Sequence, residues 1–305
     1  MARQNSVYQY LRVAKPPHVG RNLETGEVTY CMCYGDIIRS VRDAHDNVKY
    51  VKHSYPLIMS KNPEIAEKMS KWEENDIVYL KGVISSAMIP KKSYCPNCKD
   101  ADGMPTANIT KGLLVFVNPI YVNTVKHCAD KKEGCKELLD NKEVSNQVLI
   151  MGTVCSDPKE FVTKKGLAVT QYQLAINRKF HIKSDDPSVR TDWPWVKSYG
   201  EQAVEDRMRL MKGSDVLIDG FLQARTIHRK KKCEHCGQIY EWEDRAMELV
   251  PYDVEYVKGT YKTDEMLEAE NNQKVEDIRQ QIYDNLMHDH LEEEEDTEDF
   301  EKVSS

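Results

Sequence analysis

No stretch of this 305-residue chain is apolar for long enough to cross a bilayer as a helix, which would take about 20 consecutive apolar residues. The opening segment, MARQNSVYQYLRVAKPPHVG, lacks the apolar core of a secretory signal. These two absences point to the cytoplasm and to no membrane partner. Signatures of catalysis are missing as well. There is no GxxxxGK[ST] loop to cradle phosphates, no HExxH arrangement to activate a metal-bound water, and no nucleophile with a matching base motif. The expectation is a protein that is not an enzyme.

What is present begins with an uneven distribution of charge. The formal net charge is −7, yet residues 259–305 hold 16 acidic and 4 basic side chains, so the body that precedes them is mildly basic. A basic body on an acidic arm suits a polyanion-binding region with a separate solvated extension. Val275, Ile278, Ile282 and Leu286 recur at helical spacing, which predicts a helical extension over 259–290. LEEEEDTEDFEKVSS follows, too charged to bury a core, so 291–305 is expected to be a disordered acidic tail.

The chain repeats itself. Residues 55–98 align with 193–236 at a constant offset of 138 without a gap, and Pro56, Ser60, Glu67, Val78, Gly82, Ile89, Lys92, Cys95 and Cys98 meet identical residues. Each copy reads as strand, helix, strand ending in Gly, basic stretch and CxxC. In the second copy WPWVKSY alternates as a strand, EQAVEDRMRLM favours helix, and SDVLIDGFLQART and YEWEDRAMELVPYDVEYV pair around CEHCG. With QVLIMGTV and LAVTQYQLAIN upstream, five strands and a helix between the third and fourth give the OB order. The expected fold is mainly β, two tandem OB-fold barrels: a diverged one over 1–137 and a second over 138–258, each with a CxxC in its last hairpin.

Residues 147–257 resemble the bacterial and phage single-stranded DNA-binding protein family through NQVLIMGTVCSDP, the KKG turn, QLAINRKF, DWPWVKSYGEQA and LMKGSDVLIDGFLQART. That resemblance implies aromatic platforms for bases, a contact worth about 1–3 kcal/mol per base, at Phe180, Trp193 and Tyr199. Ile227 stands where the family often has a further aromatic. The residues point the same way without the resemblance. Trp193, Trp195 and Tyr199 share a strand face by parity, with Lys197 among them. Arg178, Lys179, Arg225, Arg229 and Lys230 lie nearby in sequence, a mixture suited to holding a phosphate backbone while bases stack. In the first copy Tyr55 falls where Trp193 does, but Lys61 replaces Tyr199.

Nine cysteines without an export signal read as reduced thiols or metal ligands. Cys31, Cys33 and Cys155 sit in apolar strand-like segments and read as core. A CxxC pair supplies two of the four ligands of structural Zn2+. For Cys95 and Cys98 the nearest second pair is Cys128 and Cys135, with His127 as a substitute. Cys233 and Cys236 then form a second site completed by His228, His235 or another subunit, unless the two hairpins share one ion.

The function that follows is coating and protecting single-stranded DNA in replication, recombination, repair or conjugative transfer, with the acidic tail recruiting replication and recombination proteins. Two alternatives stay open: an RNA-binding OB protein, and a zinc-containing structural subunit of a replisome or primosome. The sequence allows a homo-oligomer and does not require one.

Overall fold

A computed structural model describes residues 4–42, 48–99, 103–140, 145–178, 190–258, 262–263, 265–269 and 271–280. The chain divides into two compact units, Met1–Thr260 and Tyr261–Ser305. In the first unit the elements run β1 (Asn5–Val13), β2 (His18–Arg21), β3 (Val28–Arg42), β4 (Val48–Ser54), β5 (Leu57–Ser60), α1 (Pro63–Met69), β6 (Asp76–Lys99), β7 (Pro105–His127) and α2 (Lys131–Asp140). They continue as β8 (Asn146–Val154), β9 (Lys159–Val162), β10 (Ala168–Asn177), β11 (Thr191–Asp192), β12 (Trp195–Tyr199), α3 (Glu201–Arg209), β13 (Asp215–Lys232) and β14 (Ile239–Lys258).

The internal repeat is visible in the pairing. β5, α1, β6 and β7 recur as β12, α3, β13 and β14, and the parallel contact Ile58↔Val117 has its counterpart in Val196↔Leu249. Local chemistry places the helices. Pro63 opens α1 with its preset φ, and the Asn62 side chain accepts from the backbone N–H of Glu64 at 3.0 Å and of Ile65 at 3.3 Å. α3 starts instead behind Gly200, whose φ of 63° suits a residue without a Cβ.

Two separate closed barrels, as expected from the strand count, are not what forms. Among the described residues, fourteen strands belong to one mixed sheet whose main path runs open, β11-β10-β12-β14-β13-β8-β1-β6-β7-β5-β3-β2. The pairings that would return each half on itself are short: Arg12↔Asp36 and Val13↔Gly35 between β1 and β3, Leu174↔Val154 and Ala175↔Thr153 between β8 and β10. β1 and β8, the equivalent first strands, pair antiparallel from Asn5↔Ile150 to Gln9↔Asn146. Backbone groups that a barrel would satisfy within one repeat are thus met across the two. The order on either side of this pair is the same read outward, β13-β14-β12-β10 and β6-β7-β5-β3. Val7, Leu11, Leu80, Ile84, Val148, Ile150 and Ile218 are fully buried around it, so the core lies at the junction of the halves.

Gly82 and Gly220, identical in the repeat, sit at β-bulges opposite Pro119 and Pro251. A Cβ on Gly82 would stand 2.7 Å from the Asn118 carbonyl oxygen, and one on Gly220 would overlap the Val250 carbonyl oxygen. Backbone cannot yield there as a flexible side chain could. Gly220→Ala is therefore expected to cost about 1–3 kcal/mol of stability, read as a lower urea midpoint; an unchanged midpoint would contradict the close approach.

In the second unit residues 265–269 and 271–280 are helical, and Val275 and Ile278 are exposed on it. Ile282, Leu286 and the acidic segment 291–305 lie outside the described residues. Among the described residues no helix is long and apolar enough to cross a membrane.

Candidate nucleic-acid interface and thiol cluster

The short β11 strand delivers Trp193 to the surface, where it is 41% exposed. Its neighbour Asp192 is buried, and both carboxylate oxygens are engaged. Arg178 donates from Nε to Oδ2 at 2.7 Å and from Nη2 to Oδ1 at 2.8 Å. The backbone N–H of Ser86, in β6, donates to Oδ1 at 2.6 Å. The Trp193 N–H in turn donates to the Ser86 Oγ at 2.9 Å. The tryptophan is thus anchored by the first half of the chain, and no sequence motif announces Ser86 or Asp192 in that role. Arg178, expected to face a phosphate, is instead the largely covered partner that orients this turn.

Trp195 and Tyr55 come together although they are remote in sequence. Both line a narrow cleft of about 110 Å³ between the halves, with Arg229 and Arg245 at its edge. The Tyr55 ring lies near-parallel to His53, centroids 6.1 Å apart and planes 10° apart. Tyr199 is half-buried, and burial, followed by the Glu248 charge, pushes its phenol up from the ordinary tyrosine value. Phe180 and Lys179 lie outside the described residues.

The basic residues expected around these aromatics are largely paired. Lys197 is 6% exposed, with Nζ 3.9 Å from Glu248 and 4.9 Å from the Phe161 ring centroid. Burial holds its ammonium below the usual lysine range. Arg225 grips both Glu248 oxygens at 2.8 Å, while Arg229 and Lys91 share Asp244 at 2.8 and 2.7 Å. Lys230 meets Glu241 at 3.3 Å on the surface. Arg225 and Arg229 keep 37% and 53% of their side chains exposed, so donors still point outward. The surface field is smaller than a count of cations suggests.

At the far ends of the two long hairpins, four thiols meet. Cys95, Cys98, Cys233 and Cys236 place their sulfurs within 4.8 Å of one another. The hairpin-to-hairpin edges are 3.8 Å (Cys95 to Cys236) and 3.7 Å (Cys98 to Cys233). A regular tetrahedron with metal–sulfur arms of about 2.3 Å has edges of about 3.8 Å. The donor set and its spacing therefore fit one tetrahedral ion. The N–H of Cys236, and next that of His235, donates to the Cys233 sulfur and draws its thiol down to about 6 against the cost of burial. Around the cluster, Ser93 Oγ and Tyr240 Oη lie 2.6 Å apart, and Asn97 donates to Gln238 at 2.5 Å, which ties the hairpins together.

Cys128 and Cys135 are not in this group. Cys128 is buried among Ile38, Ile77 and Leu138, with Cys135 packed against the same cluster. Asp36, His53 and Cys135 do converge within 4.8 Å. Asp36, however, already accepts from the buried Arg12 guanidinium at 2.6 Å and pairs with His53 Nδ1 at 2.8 Å. A cation there would have to compete with that arginine charge for Asp36.

Residues 145–239 match the Single-strand binding protein family. Single-stranded DNA-binding protein 1 of Chlorobaculum tepidum is 32% identical over 81 residues, 27% of this chain and 50% of that protein. The Thermotoga maritima single-stranded DNA-binding protein is 30% identical over 80 residues, 26% and 57% of the two chains. The chain thus spans about half the length of these curated relatives. A likeness in fold reaches further: the single-stranded DNA binding protein of Thermus aquaticus, as a deletion mutant, superposes with a TM-score of 0.55 at 16% identity, over 87% of this chain and all of that one. Residues 145–239, with Trp193 and its anchoring turn inside the matched segment, are thus similar to the single-strand binding protein family.

Proposed function

We propose that this protein binds single-stranded DNA without altering it chemically, coating exposed strands during replication, recombination, repair or conjugative transfer. The observation that carries this reading is Trp193, a large aromatic of the family-matched segment held 41% exposed by a network of Asp192, Arg178 and Ser86. Leaving an apolar ring in water while fixing its backbone makes a stacking platform that has no need to reorganise when a base arrives. Trp195, Tyr55, Tyr199, Arg225 and Arg229 extend the surface. Residues 1–137 and 138–258 act as the two halves of the binding body, 259–290 as a helical extension and the acidic 291–305 as an arm that recruits partner proteins.

The four thiolates of Cys95, Cys98, Cys233 and Cys236 hold structural Zn2+ in this reading. The ion supplies no chemistry to a substrate; it joins the ends of two hairpins that the sheet alone leaves projecting.

Titration of the intact protein with an oligothymidylate, its duplex and an RNA of matched length, each at two salt concentrations, tests the function. Single-stranded DNA is expected to quench tryptophan fluorescence and to bind far more tightly than duplex, with affinity falling linearly in log salt. Duplex bound as well as single strand would overturn the reading, and tighter RNA binding would move it to RNA.

A further inference from the structure

A second cleft, of about 410 Å³, opens beside Trp193, within the size range of small-ligand sites. One wall belongs to the family-matched half, with Trp193, Thr191 and Arg178; the other belongs to the first half, with Met59, Met88 and Lys61. Met88 is 64% exposed beside it, and Phe116 closes the apolar floor, buried. Asn118 is 2% exposed in the same wall, and its Oδ1 has no hydrogen-bond partner. Lys61 is exposed and makes no ion pair among the described residues, unlike most of the cations around Trp193. An apolar slot lined by a flat indole and two thioethers, with an exposed, unpaired ammonium beside it, matches a nucleobase with its phosphate.

The cleft is not isolated. It shares Leu113 with the Trp195–Tyr55 cleft, which in turn shares Ala224 with a depression of about 290 Å³ bordered by Arg225, Lys52 and His53. All three lie along the junction between the repeats. We propose that a single strand runs along this junction, with one nucleobase seated between Trp193 and Met88, so that Met59, Met88 and Lys61 of the first half are nucleic-acid contacts. This rests on the single-strand-binding reading and adds that the diverged half is part of one continuous site.

The test uses the full chain with an oligothymidylate carrying one 5-iodouracil at varied positions. Irradiation followed by peptide mapping is expected to place crosslinks on the segment containing Met88 as well as on that containing Trp193. In parallel, Lys61→Glu and Met88→Glu are expected to weaken binding roughly tenfold each, and Lys61→Glu to lower the salt slope by about 1. Lys71→Glu makes the same charge change at a residue that lines none of the three clefts, where Lys71 pairs with Glu67 at 3.5 Å. It measures the general field effect, and near-ultraviolet circular dichroism checks the fold. Crosslinks confined to the second half, or Lys61→Glu no weaker than Lys71→Glu, would overturn the proposal while the protein still binds single strands. Absence of single-strand binding in the parent protein would remove the proposal together with the reading beneath it.

Discussion

Serine at both Cys233 and Cys236 is expected to abolish the binding of one equivalent of zinc proposed for this cluster and to lower the melting temperature by on the order of 10 °C. The size follows from topology. The sulfurs that meet across the hairpins belong to residues 141 and 135 positions apart. An ion holding both ends closes a loop nearly half the length of the chain, and cross-links over such loops remove much of the entropy of the unfolded state. The thiols must lose their protons to bind, so zinc affinity falls as pH falls. Elemental analysis of protein purified without chelators gives the stoichiometry, and a mercurial titration with a zinc dye follows release. Cys95→Ser and Cys98→Ser together should behave identically, because the four ligands act as one set. Cys128→Ser with Cys135→Ser should retain the metal, since those sulfurs sit in a separate apolar cluster. Full zinc content in the Cys233 and Cys236 variant, or its loss only in the Cys128 and Cys135 variant, would refute this ligand set.

Trp193→Ala should weaken single-strand binding by about 1–3 kcal/mol, a factor of roughly 5 to 150, with little dependence on base sequence. Trp193 is 41% exposed and its anchoring contacts run through its backbone N–H and through Asp192, so truncating the ring leaves Arg178, Asp192 and Ser86 in place. The loss should therefore appear in affinity and not in melting temperature. Asp192→Ala makes a useful contrast. It leaves the largely covered Arg178 guanidinium without its carboxylate, so stability and binding should fall together. Binding unchanged in Trp193→Ala would show that bases stack elsewhere.

Several features could be read from the chain because their causes are local. The offset of 138 between Cys95 and Cys233, Gly82 and Gly220, or Pro56 and Pro194 reappears as matched hairpins, bulges and parallel contacts. A strand's alternation and a helix's composition depend on near neighbours, so WPWVKSY and EQAVEDRMRLM could be assigned from a few residues. α2 escaped notice. Its KKEGCKELLD carries a central glycine and little apolar periodicity, and its place is secured by Leu138 and Gly134 packing inward.

The basic residues illustrate the opposite case. Lys197 by parity belongs to the aromatic face, yet Glu248 of β14 lies beneath it and Phe161 covers it, which a strand read alone could not reveal. The same holds for Arg178, whose partner Asp192 is held from β6.

By itself the sequence determined that the chain is a repeat rich in strands, that its second half carries the single-strand binding signature, and that CxxC pairs end both hairpins. Tertiary structure decided how these parts combine. It joined the repeats through β1 and β8 into one open sheet in place of two barrels, brought Cys95 and Cys98 to Cys233 and Cys236, and set Trp193 against Ser86. Each of these contacts links residues more than a hundred positions apart. Such contacts are selected by which buried surfaces and backbone edges satisfy one another across the whole fold, a competition that no local run of residues encodes.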